Sequence, residues 1–255
     1  MASAPSQACL CTPSVPAEGY DAKGTFQEIN GLKLYFTGPT ASNSAIVFIY
    51  DAYGYADQVL AGADLLSDLS GSLVIVPDVL GDAAISPKYR SFDQISEEIK
   101  KPLLATFMGK INEFRDFPGQ ILDGLEKWGD LWPSVEKWGV FGLCFGGKLA
   151  VLLSQKATPF LVSGQAHPSF LANGDPDLVT IPHICLASKD ENPERIAEYK
   201  TVMGEQGHVN TYPKDIHGWM GAKADLTDPD QKISFHSGYQ EVSAFFRAYL
   251  SSPVH

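Results

Sequence analysis

The segment Gly142-Leu143-Cys144-Phe145-Gly146-Gly147 sets a thiol between glycines two positions before and two after it. Side chains at those positions would collide where a strand turns straight into a helix, so the pattern suits a sharp turn that holds its central residue strained and outward. A thiol there lies at the first turn of the following helix, whose free amides and dipole favour the thiolate. The Phe145 N–H would point toward the oxygen of an attacked carbonyl. Gly-x-Cys-x-Gly is also found where a buried cysteine merely packs between strand and helix. Companion residues decide between the two.

A nucleophile on such a turn needs a base downstream and an acid between them, in the chain order nucleophile, acid, base. His217, in Asp215-Ile216-His217-Gly218-Trp219, follows an apolar strand candidate and is the expected base. Asp190, in Ser188-Lys189-Asp190-Glu191, follows another and is the expected acid, with Asp51 and Glu191 as rivals. In these roles Asp190 fixes the tautomer of His217, and His217 takes the Cys144 proton and later returns it to the leaving group. His167, in Ala166-His167-Pro168-Ser169, also ends a strand on the same edge and faces the expected pocket, but it precedes the acid and breaks the order.

The elements that must position these residues alternate apolar runs of strand length with longer amphipathic stretches, the signature of a mainly parallel sheet covered by helices. Strands are expected at 45–50, 73–76, 138–142, 160–166, 181–187 and 207–212, and helices near 56–70, 92–107, 117–128, 145–155, 192–204 and 233–250. Two short alternating runs between Thr25 and Phe36 flank Asn30-Gly31, a strong hairpin signal. Residues 1–20 show no periodicity and are expected to form a flexible tail ahead of one domain, 21–255. Trp128, Trp132 and Trp138 cluster around Pro133, where core packing is the usual explanation and a pocket or partner surface the rarer one.

At 255 residues with 44% hydrophobic content, the chain suits a single large α/β domain. A net charge of -11 argues against nucleic acid or an anionic membrane as partner, because either would be repelled. The sequence contains no apolar run long enough to span a bilayer, and Met1–Gln7 has neither the basic start nor the apolar stretch of a secretory signal, so a cytoplasmic location is the default expectation. The four cysteines, at 9, 11, 144 and 185, show no zinc-like spacing. No phosphate-binding glycine motif follows a strand, so no cofactor is implied.

With these residues assembled, the chain resembles the dienelactone hydrolase (carboxymethylenebutenolidase) family of α/β-hydrolases, its fungal-type members in particular. The resemblance rests on Gly142–Gly147, Asp190, His217-Gly218-Trp219, Tyr50-Asp51-Ala52-Tyr53-Gly54 and Val76-Pro77-Asp78. It implies a Cys144–His217–Asp190 triad acting on an ester or lactone through an acyl-enzyme, with the amides of Ala52 and Phe145 as oxyanion donors. In bacterial relatives a Glu matching Asp51 contacts the resting thiol until substrate displaces it; Asp51, one methylene shorter, is the corresponding candidate switch. Relatives that act on dienelactone clamp its carboxylate with arginines. Here the matching regions read Val79-Leu80-Gly81-Asp82 and Met220-Gly221-Ala222-Lys223, which leaves Lys223 as a single charge and points to a larger or neutral substrate. Trp219, beside the base, and Tyr53 are expected at the pocket wall.

The expected function is therefore hydrolysis of a small-molecule ester or lactone by a monomer or homodimer. Two alternatives stand beside it. The same nucleophile and base could cyclise, lactonise or rearrange a metabolite, or the fold could serve a non-catalytic binding protein.

Overall fold

The computed structural model describes residues 19–29, 31–86, 89, 95–111, 114 and 116–251. Cys9, Cys11 and most of the expected tail lie outside them. Tyr20, counted with that tail, is tied down: its hydroxyl donates to Asp64 at 2.6 Å.

Among the described residues, eight strands form one sheet. β1 (Thr25–Ile29) and β2 (Leu32–Thr37) are the expected antiparallel hairpin, with Ile29 opposite Leu32 across the turn. β2 then pairs antiparallel with β4 (Leu73–Pro77). β3 (Ser44–Ile49), β4, β5 (Lys137–Leu143), β6 (Phe160–Ala166), β7 (His183–Ser188) and β8 (Gly207–Tyr212) run parallel, and the spatial order is β1-β2-β4-β3-β5-β6-β7-β8.

Every residue of β3 and β4 is buried, as a strand covered on both faces requires. The helices supply the cover: α1 (Asp57–Ser70), α2 (Glu97–Ile111), α3 (Asp116–Leu131), α4 (Phe145–Leu152), α5 (Pro193–Met203) and α6 (Pro229–Leu250). α1 and α6 pack together on one face, and α6 sets Phe246 against β5 and β6. α4 and α5 share the other face, where Val151 meets Tyr199. Trp128 and Trp132 are core residues.

α6 begins four residues before the expected start at 233. Asp228 accepts from the N–H groups of Asp230 and Gln231, and Pro229 takes the first helical position, a cap that apolar periodicity alone does not register. Asn192 caps α5 in the same way. Residues 92–94 of the expected second helix lie outside the described residues, and its described part runs on to Ile111.

The order β4-β3-β5 places a topological switch point at the carboxyl ends of β3 and β5. The chain leaves β3 toward one side and returns to β5 on the other, so a crevice opens where ligands bind in sheets of this kind. Asp51 and Cys144 lie at these two strand ends.

Candidate active site

Cys144 joins β5 directly to α4 with φ 56° and ψ −117°, a conformation that L-residues avoid unless their surroundings impose it. The flanking glycines show why it survives. A Cβ on Gly142 would lie 1.9 Å from the Gly146 carbonyl oxygen, and one on Gly146 would lie 2.4 Å from that of Ile49. Only bare backbone lets the turn close this tightly. The Cys144 N–H is held by the Ala166 carbonyl at 3.1 Å. Phe145 opens α4, where the first N–H groups have no partner within the helix.

His217 lies in the loop after β8 and is 1% exposed. Its Nδ1 is 2.7 Å from Oε1 of Glu191, whose side chain is equally buried. The other Glu191 oxygen, Oε2, accepts from the Ser188 N–H. Asp190, predicted on the ring, is placed elsewhere: its Oδ2 accepts from the His217 backbone N–H at 2.8 Å. Both acids therefore hold His217, but it is Glu191 that meets the imidazole. On Nε2 the ring approaches Ser169 Oγ at 3.4 Å, and Cys144 Sγ lies 3.3 Å from the same hydroxyl.

Asp51, Ala52, Tyr53, Cys144, His217, Gly218 and Lys223 line one cavity of about 10 Å³. The Asp51 carboxylate is braced by main chain, Oδ1 accepting from the Tyr53 N–H at 2.9 Å and Oδ2 from the Ala222 N–H at 2.8 Å. Lys223 is 3% exposed, with its aliphatic stem laid over Gly218, so it belongs to the site rather than to the solvated surface.

Other expected pocket residues are placed differently. The Trp219 indole packs at a tilt against Tyr212, with centroids 4.2 Å apart and planes at 33°, and lies against Gly238 of α6, which makes it a support behind the loop and not part of the cavity wall. His167 is fully buried behind His217, their rings 5.0 Å apart at 75°, and neither of its ring nitrogens has a hydrogen-bond partner among the described residues. Burial, then the neighbouring His217 and Lys223, push its pKa well below the usual histidine value, so it is neutral.

The second buried thiol is unlike the first in setting. Cys185 lies in the middle of β7, where burial and then the Glu191 charge raise its pKa and keep it protonated. Among the described residues, no cluster of three or more His, Cys, Asp or Glu side chains is arranged to hold a metal ion, and no helix is long and apolar enough to cross a membrane.

The sequence matches the dienelactone hydrolase family model over residues 32–250. The chain belongs to the dienelactone hydrolase family. Two uncharacterized AIM2 family proteins of Schizosaccharomyces pombe are 30% identical to it; their alignments cover 89% and 91% of this chain and 92% and 94% of the relatives. Among solved structures, the dienelactone hydrolase of Anabaena variabilis superposes with TM-score 0.61 at 13% identity, over 89% of this chain and 99% of its own. A dienelactone hydrolase-like promiscuous phosphotriesterase from metagenomic libraries gives 0.57 at 18% identity, over 86% and 92%. A soluble variant of the Saccharomyces cerevisiae monoglyceride lipase gives 0.60 at 10%, over 94% and 98%. At these identities the likeness to solved structures is one of fold, that of the α/β-hydrolases.

Two residues of the site escape a reading of motifs. Glu191 ranks there only as a rival to its neighbour Asp190, and Ser169 carries no role. The signal for Ser169 is its position just past β6, on the edge where Cys144 and His217 also emerge.

Proposed function

We propose that this protein hydrolyses a carboxylic ester or lactone through a thioester on Cys144, with His217 as general base and acid and Glu191 orienting it. The observation that carries the reading is the strained thiol sharing one cavity with an imidazole whose far nitrogen is held by a buried carboxylate. With its proton pinned to Nδ1 by Glu191, His217 presents a basic Nε2 to the nucleophile side.

In the first half-reaction the thiol proton passes to Nε2 and Sγ bonds to the carbonyl carbon. The oxyanion then lies between the amides of Ala52 and Phe145, a role that rests on their positions at the β3 loop and the first turn of α4. Collapse breaks the C–O bond, and the alkoxide leaves with the Nε2 proton. Water, deprotonated by Nε2, attacks the thioester, and the thiol regains its proton as the acid departs. Asp190 acts one step back, on the backbone of the base.

Asp51 keeps its proposed part as the switch of the thiol, with its carboxylate already ordered at the cavity wall. Lys223 supplies one buried cation where the family resemblance leads one to look for arginines. That suits a neutral ester or lactone, or one bearing a single negative charge, handled in a reducing compartment that keeps the thiol free.

Cys144→Ala should abolish turnover of a chromogenic ester, and intact-mass spectrometry of the wild-type protein should show an acyl adduct on the Cys144 peptide. Undiminished turnover in the variant overturns the proposal. Water incorporation from labelled solvent separates hydrolysis from cyclisation.

A further inference from the structure

Four described residues other than glycine have positive φ, and three of them belong to this site: Cys144 at 56°, His167 at 36° and Phe170 at 58°. The last two bracket Ser169 in the turn after β6. Such conformations cost on the order of 1–3 kcal/mol each and persist where surrounding structure over-determines them. What they hold in place is the Ser169 hydroxyl. The Ser169 N–H donates to the Cys144 carbonyl at 3.1 Å, which latches this turn to the nucleophile's own peptide. Ser169 is 2% exposed, and its Oγ faces Sγ at 3.3 Å and Nε2 at 3.4 Å.

We propose that Ser169 is a further catalytic residue, a proton relay between the Cys144 thiol and the His217 imidazole. The inference rests on Cys144 being the nucleophile. Hydrogen-bond direction supports it along the whole chain. Nδ1–H donates to Glu191, which leaves Nε2 an acceptor; the Ser169 O–H donates to Nε2; and the S–H donates to Ser169 Oγ. To form the nucleophile, the S–H bond breaks as Oγ takes its proton, and the original O–H bond breaks as Nε2 takes that one. A thiolate and an imidazolium result, and the hydroxyl is regenerated. It then donates to the thiolate and accepts from Nε2–H, so the charge-separated pair keeps both hydrogen bonds. The 3.4 Å link is long, as resting catalytic hydrogen bonds often are before substrate tightens them.

Among the described residues, the titratable groups around these three side chains are His167 behind the base, Glu191 beyond it, and Asp51 and Lys223 on the cavity wall. Ser169→Ala leaves all of them in place and removes only the hydroxyl. The ultraviolet absorbance of the thiolate and the rate of Cys144 alkylation by iodoacetamide, both followed against pH, read the effect, with Cys144→Ala as the baseline for the other thiols. Ser169→Ala is expected to raise the apparent Cys144 pKa by about one unit, which slows alkylation about tenfold near neutrality. If that variant does not fold, the near-isosteric pair Ser169→Thr and Ser169→Val gives the same comparison, with Thr alkylated about tenfold faster than Val. An unchanged or faster reaction in Ser169→Ala, or equal rates for Thr and Val, overturns the relay. Neither readout uses an ester. A protein that obeys both and hydrolyses nothing keeps the relay and loses the hydrolase reading.

Discussion

Exchanging the two neighbouring acids one at a time separates their roles. In Glu191→Gln the side chain keeps its shape but has one oxygen and one NH2 to serve two buried partners. The Ser188 N–H, formerly received by Oε2, requires the oxygen, because an unanswered buried donor costs about 1–3 kcal/mol. The NH2 is thereby turned toward Nδ1 at the 2.7 Å contact. Nδ1 must then accept, the ring proton moves to Nε2, and the base can no longer take a proton from the nucleophile side. The attraction between carboxylate and imidazolium is lost as well, of order 6 kcal/mol at this separation with an effective dielectric near 20. Tautomer inversion of this kind lowers kcat by about 10⁴, or roughly 5.4 kcal/mol of barrier. Asp190→Asn is a different perturbation, since its carbonyl oxygen still accepts from the His217 N–H, and its kcat should fall by less than about tenfold. Steady-state kinetics on a chromogenic ester, with folding checked by circular dichroism, reads both. Comparable losses in the two variants, or a larger one in Asp190→Asn, refute the assignment of Glu191 to the ring.

Gly142→Ala sets a Cβ 1.9 Å from the Gly146 carbonyl oxygen, a backbone atom that cannot step aside, so urea denaturation should show a loss above about 4 kcal/mol or no folded protein. A stable, active Gly142→Ala would contradict the turn described here. Burial lowers the His183 pKa from 6.5 to about 3, so the native state refuses a proton that the unfolded chain accepts; the stability this histidine contributes is whole above pH 6.5 and falls by about 1.4 kcal/mol per unit as pH drops toward 3. Unfolding free energies at pH 7 and pH 5 should therefore differ less in His183→Phe than in the wild type, and an unchanged pH dependence would count against it. Asp175→Ala strands Lys148, whose ammonium meets that carboxylate at 2.5 Å with both side chains buried, and should cost about 3–5 kcal/mol in the same assay; a change below 1 kcal/mol would mean the pair is solvated. Tyr53→Ala removes a ring from the lining of the small pocket that holds the buried Cys144, so native-state alkylation of Cys144 should accelerate several-fold; no acceleration would mean that Tyr53 does not limit access to the thiol.

The architecture was legible because its signals are local and redundant. Continuous apolar runs of five or six residues, too short for a buried helix and rich in β-branched side chains, mark strands covered on both faces, and the hairpin announced itself through its turn residues. Element ends were read less well. The start of α6 is set by a capping aspartate and a proline, which lie outside the apolar stripe that marks the helix body. Trp219 was expected at the cavity because it follows the base, but chain adjacency does not say which way a ring turns. Here it turns into the space beside Gly238 and Tyr212.

The acid shows the same limit more sharply. Order along the chain directs attention to the loop after β7 and is satisfied equally by Asp190 and Glu191, which are adjacent in the chain. Geometry separates them. The backbone of this loop sends Asp190 toward the main chain of residue 217, while the extra methylene of Glu191 lets one oxygen return to the Ser188 N–H and the other reach Nδ1. A rule of order thus selects a loop, whereas the partner of the imidazole is selected by which side chain can satisfy two buried donors at once. Ser169 was hidden for a related reason. No motif marks a hydroxyl whose place is fixed by two strained neighbours and a backbone hydrogen bond to the Cys144 carbonyl. Such residues become visible only when three strand ends, β5, β6 and the loop past β8, are brought to one edge.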